Sequence, residues 1–125
     1  MKQIITAIVC VIMSMCILGC ASNEEKYTTL KNEFLAAKTE FYKIKPKTDV
    51  FVGKKDAPEF DRVASEETKI IEQLEPKVAE MKKLSEKDLK LTNDYQKIIE
   101  SFDNMKTKLK NMKKEADWLR NYSGI

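Results

Sequence analysis

Histidine is absent from the 125 residues, and the three cysteines, Cys10, Cys16 and Cys20, all fall within the first 20. Without an imidazole there is no Ser-His-Asp or Cys-His relay, and the commonest transition-metal ligand is missing. Beyond residue 20 the glycines are Gly53 and Gly124, so no phosphate-cradling loop is present. Adjacent carboxylates occur at Glu24-Glu25 and Glu66-Glu67, in stretches dense with lysine, and read as solvated helix faces rather than an acid-base pair. These residues predict no enzyme, no metal and no cofactor. The reactive group that remains is the Cys20 thiol, and its surroundings decide its chemistry.

Cys20 closes an apolar run. After Met1-Lys2 and Gln3, residues 4 to 18 carry no charge, and Gly19 precedes the cysteine. A positive start, an apolar stretch and a small residue form the pattern of a secretory signal. At about 15 residues the stretch falls short of the roughly 20 that span a bilayer, so cleavage is expected rather than a permanent transmembrane helix. Ile17-Leu18-Gly19-Cys20 resembles the lipobox of bacterial lipoproteins, with Leu18 bulkier than the Ala or Ser commoner at its position. The resemblance implies a diacylglyceryl group on the Cys20 thiol, cleavage between Gly19 and Cys20, and a body attached to a membrane without crossing it. Ala21 after the cysteine resembles lipoproteins sent to the outer membrane of a diderm; in a monoderm the protein would stay on the outer face of the cell membrane.

Removing residues 1 to 19 leaves about 106, enough for one domain with a modest core. With one cysteine left there is no internal disulfide, so packing alone must hold the fold. Lys and Arg number 23 against 20 Asp and Glu, a formal charge of +3, too small an excess for a dedicated nucleic-acid binder. Few glycines and prolines and many Lys, Glu, Leu and Ala point to long helices.

Periodicity then positions three of them, at about 22–45, 57–84 and 86–121. Ser22 with Glu25 is a capping-box signature. Tyr27, Leu30, Phe34, Ala37, Phe41 and Ile44 share one face, widened by Leu35 and Tyr42, and Lys45 before Pro46 stops the helix. Residues 46 to 56 form a loop in which Gly53 supplies a turn and Val50-Phe51-Val52 plugs the bundle end. Asp56 and Glu59, with Pro58 in the first turn, start a helix with Phe60, Val63, Ala64, Ile70, Ile71, Leu74, Val78, Met81 and Leu84 on its apolar side. Pro76 should kink it near Leu74. Ser85 with Asp88 is a cap signal for the last and longest helix, where Leu91, Tyr95, Ile98, Phe102, Met105, Leu109, Met112, Ala116 and Leu119 form a coiled-coil-like seam flanked by Ile99 and Trp118. The fold class expected is all-α, an antiparallel three-helix bundle, with a continuous dimerising rod as the competing arrangement.

Two surface features read either as solvated helix faces and core caps or as contact surfaces. Lys43, Lys45, Lys47, Lys54 and Lys55 surround the loop, and Lys106, Lys108, Lys110, Lys113, Lys114 and Arg120 crowd the last helix. In an up-down-up bundle both groups lie away from the membrane, where Asp56, Glu59, Asp61, Glu66 and Glu67 neutralise part of the charge. Trp118, Leu119 and Tyr122 stand beside them, either as a cap on the core near Phe51 or as an interface anchor. Lys54, Lys55, Lys110, Lys113, Lys114, Trp118 and Tyr122 are therefore the candidate contact residues, for an envelope protein or an anionic wall polymer. The second expectation is a self-associating spacer, a homo-oligomer built on the seam.

Overall fold

In the computed structural model the described residues are 22–122. Cys20, the Gly19-Cys20 cleavage point, Ala21 and Gly124 lie outside them.

The first helix, α1 (Asn23–Lys43), begins where its cap dictates: Ser22 is extended, and its hydroxyl accepts the Glu25 amide at 3.2 Å. Glu24 and Glu25 in the first turn add favourable charge at the positive end of the helix dipole. The chain turns extended at Ile44, two residues before Pro46. A 3-10 turn, Lys54–Asp56, leads into α2 (Ala57–Lys87). Asp56 does precede α2, but its carboxylate accepts the Gly53 amide at 2.8 Å instead of capping the helix. Gly53 is extended at φ −146°, and a Cβ there would meet nothing within 4 Å, so the turn expected to need glycine does not use its freedom.

α2 is the longest helix at 31 residues, against 29 for α3 (Thr92–Arg120), the reverse of the expected order. It runs through Pro76 as one element. Pro76 and Glu72, whose carbonyl loses its N–H partner, are both exposed, so the unpaired carbonyl is open to solvent and the proline costs less than it would on the core side. The break between α2 and α3 falls at Asp88, not Ser85. Ser85 is buried inside α2 with its hydroxyl donating to the Lys82 carbonyl, whereas Asp88 is extended and its carboxylate accepts the Lys90 amide at 3.0 Å. The 3-10 turn Leu89–Leu91 then reverses the chain. That reversal excludes the continuous rod.

Cross-helix pairs establish the topology. Tyr27 meets Asp94, Phe34 meets Phe102 with ring centroids 6.1 Å apart, and Lys108 lies 5.0 Å over the Phe41 ring, so α1 and α3 run parallel. Glu33 pairs with Lys77, Glu67 with Lys108 and Asp61 with Arg120, so α2 runs antiparallel to both. The fold is an all-α, antiparallel three-helix bundle.

Its core follows the periodic positions. Tyr27, Leu30, Phe34 and Phe41 from α1, Val63, Ile70, Leu74, Val78, Met81 and Leu84 from α2, and Ile98, Phe102, Met105, Leu109 and Leu119 from α3 are buried. Each fully buried Phe or Leu contributes about 1.5–3 kcal/mol relative to exposure. Leu35 and Tyr42 stay exposed and do not widen the α1 face, and Phe60 is only half-buried.

Candidate partner-binding surface

The end of the bundle reached by the C-termini of α1 and α3 is built in two layers. Its floor is polar and buried. Glu67, 0% exposed, takes the ammonium of Lys108, which also lies over the rings of Phe41 and Tyr42, so one lysine touches all three helices. Burial pushes the Glu67 carboxyl up from its ordinary value, and the hydrogen bond from Lys108 works against that shift. The expectation that Glu66-Glu67 is a solvated pair is wrong for Glu67, which faces α3; Glu66 bonds Arg62 at 3.0 Å on its own helix. The gap in the α2 apolar series between Ala64 and Ile70 was the available signal, because helical spacing puts residue 67 on the core face. Glu33 and Lys77, paired at 3.2 Å and nearly fully buried, sit one level lower in the same manner.

Above the floor, the start of α2 is laced to the connection. Arg62 bonds Glu59 and Glu66 and donates to the Lys45 carbonyl, while Glu59 also accepts the Lys47 amide at 3.1 Å. The Arg62 bond, then the Lys47 amide, hold the Glu59 carboxyl below its ordinary value. Arg120 bridges Asp61 and Asp117. The acidic residues at this end therefore neutralise Arg62, Lys108 and Arg120.

They leave other cations free. Lys54, Lys110, Lys113 and Lys114 are exposed and have no ion-pair partner among the described residues. Lys55 reaches Asp49 at 3.5 Å between two exposed side chains, a pair worth little. Lys110, Lys113 and Lys114 are exposed along α3 in the two turns before Trp118, with Lys114 farthest from the seam and Lys113 at its edge. The Trp118 ring, 59% exposed, stacks on Tyr122 with centroids 4.8 Å apart. Lys54 and Lys55 join this end because their 3-10 turn packs on α3.

Val50-Phe51-Val52 overturns its expectation. Val50 is 93% and Phe51 84% exposed, so the triplet is no plug, and Trp118 does not cap the core. Ala57, Ala116 and Leu119 fill that place from within the helices, leaving the triplet nothing to cover. Beside it Lys47, Thr48, Asp49, Lys55 and Asp56 line an open polar depression of about 380 Å³. Among the described residues no group of three or more Cys, Asp or Glu could hold a metal ion, and no helix is long and apolar enough to cross a membrane.

No protein-family model, curated protein or solved structure matches this chain.

Proposed function

We propose that the chain is a small bacterial envelope lipoprotein, tethered to its membrane by acyl chains on Cys20, whose helical bundle is a non-enzymatic interaction module for an envelope protein or an anionic wall polymer. The observation that carries the binding half is the composition of one bundle end. Exposed Val50 and Phe51, the stacked Trp118 and Tyr122, and the unpaired Lys54, Lys110, Lys113 and Lys114 combine apolar anchors with uncompensated positive charge. An apolar anchor with basic surroundings suits a partner that is acidic and presents an apolar edge.

The tether is supported by the Ile17-Leu18-Gly19-Cys20 sequence and by α1 starting at Asn23, three residues after Cys20. Two or three acyl chains anchor stably where one would not. On this reading the binding end faces outward, since it lies at the opposite end of α1 from the tether, and α2 at about 1.5 Å per residue would limit its reach to roughly 46 Å. The self-associating spacer has less support, since the seam residues Ile98, Phe102, Met105 and Leu109 are already buried by α1 and α2.

The test has two parts. Mass and membrane fractionation of the full chain beside Cys20→Ala reads the anchor: an acyl mass on wild type and an uncleaved variant are expected, and identical behaviour overturns lipidation. Binding to a polyanionic wall polymer is then compared with a Lys110→Glu, Lys113→Glu, Lys114→Glu variant. Salt-sensitive binding lost in the variant supports the polymer as partner, and equal binding overturns it.

A further inference from the structure

We infer that the turn between α2 and α3 is a second membrane contact, in which Leu89 inserts into the interfacial layer of the bilayer that carries the anchor. This rests on the tethered reading above. Leu89 is 86% exposed, the most exposed large apolar side chain of the described residues outside the 50–52 loop. Its exposure is built into a fixed turn: Asp88 accepts the Lys90 amide through its carboxylate and the Leu91 amide through its carbonyl, both at 3.0 Å, and Leu91 is buried. Pinning Leu91 inward leaves Leu89 pointing out. Lys87 and Lys90 flank it, exposed, with stems long enough to lie along the apolar boundary while their ammonium groups reach the headgroups.

The turn lies beside the anchor. Tyr27, four residues into α1, donates to Asp94 at 2.8 Å, and Leu89 lies five residues before Asp94, so the start of α1 and the turn share one end of the bundle. Ser22 is two residues from Cys20, a reach of about 7 Å when extended. An acylated Cys20 therefore holds this end against the bilayer. Glu24, Glu25, Glu86, Asp88 and Asp94 offset five of the seven charges of Lys26, Lys31, Lys82, Lys83, Lys87, Lys90 and Lys97 there, so the contact is chiefly an apolar wedge rather than an attraction to anionic lipid. One leucine is too weak to recruit a protein from solution, but the tether makes its insertion intramolecular. Two points of contact then fix the tilt of the bundle.

The chain has one tryptophan, Trp118, at the opposite end, which makes the test direct. Full-length Leu89→Trp/Trp118→Phe and full-length wild type are reconstituted in phosphatidylcholine and phosphatidylglycerol vesicles with brominated acyl chains. Interfacial apolar side chains reach ~5–10 Å into the boundary, so bromine should quench the double variant at least about twofold more than wild type in both lipids. Equal quenching overturns the inference, as does blue-shifted emission without bromine dependence, the signature of a second copy of the chain covering the turn. Quenching confined to phosphatidylglycerol overturns the apolar wedge. Flotation of the vesicles separates the two readings: a protein that floats without differential quenching keeps its anchor and loses the Leu89 contact, and one that does not float loses both.

Discussion

The two ends of this bundle turn the chain with opposite chemistry. At one, residues 88–91 join α2 to α3, Asp88 caps the turn, and the Asp94 carboxylate accepts Tyr27 at 2.8 Å and Lys31 at 2.6 Å. Leu89 alone protrudes among its large apolar side chains. At the other, residues 44–56 join α1 to α2, and both Val50 and Phe51 stand in solvent. Connection length explains the contrast. A four-residue turn carries an apolar residue straight back to the core, as Leu91 shows, whereas a longer one has its backbone stitched to Glu59, Arg62 and Asp56 and leaves its middle uncovered. Polar groups that saturate one another make a clamp; apolar and basic groups left unmatched make a surface.

The sharpest way to break this contrast is to truncate phenylalanines that share the open end. Phe41→Ala, in the buried layer, should cost about 3–5 kcal/mol in urea unfolding, while Phe51→Ala should stay within about 0.5 kcal/mol. Comparable losses would mean that the 50–52 loop is packed after all.

Next comes the floor beneath that surface. Lys108→Ala strands the buried Glu67 carboxylate, and because Lys108 is about one-third exposed the loss should lie near the low end of the range for a broken buried pair, about 3 kcal/mol. Adding Glu67→Gln should recover much of it. A Glu67→Gln change that brings no recovery would show that Lys108 acts through the Phe41 and Tyr42 rings instead.

The clamp should respond to acid. Burial works to raise the Asp94 carboxyl, but the hydrogen bonds from Lys31 and Tyr27 outweigh it and hold it below its ordinary 3.8. A depressed folded value contributes stability above 3.8 that disappears as pH falls through the lower value. Asp94→Ala should therefore cost about 1–3 kcal/mol at pH 7, and the gap from wild type should close toward pH 2. Glu67 acts with the opposite sign: its raised folded value means that its contribution declines as pH climbs from 4.5 through that value. A gap that persists at pH 2 would assign the Asp94 effect to packing.

The smallest effect belongs to the open connection. Gly53→Ala should be neutral or stabilise by about 0.4–1 kcal/mol, since the backbone there suits any residue and the unfolded chain loses freedom. A clear destabilisation would reveal a constraint on the 50–56 segment beyond its visible bonds.

Much of this was legible locally. Ser22 caps as its type and spacing require, the chain leaves α1 just before Pro46, and the buried residues of α3 follow their seven-residue repeat, because caps, proline sterics and helical spacing act over one or two turns. The candidate surface was half legible. Its lysines and aromatics could be named, but which cations remain unpaired depends on Glu67, Glu75 and Asp61 of α2 taking Lys108, Lys106 and Arg120.

By itself the sequence determined the three helices and the face each one buries, since periodicity is a property of a single helix. Only the tertiary structure decided that Glu33, Glu67 and Lys77 go inside, that Asp88 rather than Ser85 turns the chain, and that Val50, Phe51, Leu89 and Trp118 stay outside. Burial of a charge or cover for an apolar side chain needs a partner far away in the sequence, and no local spacing encodes whether that partner arrives.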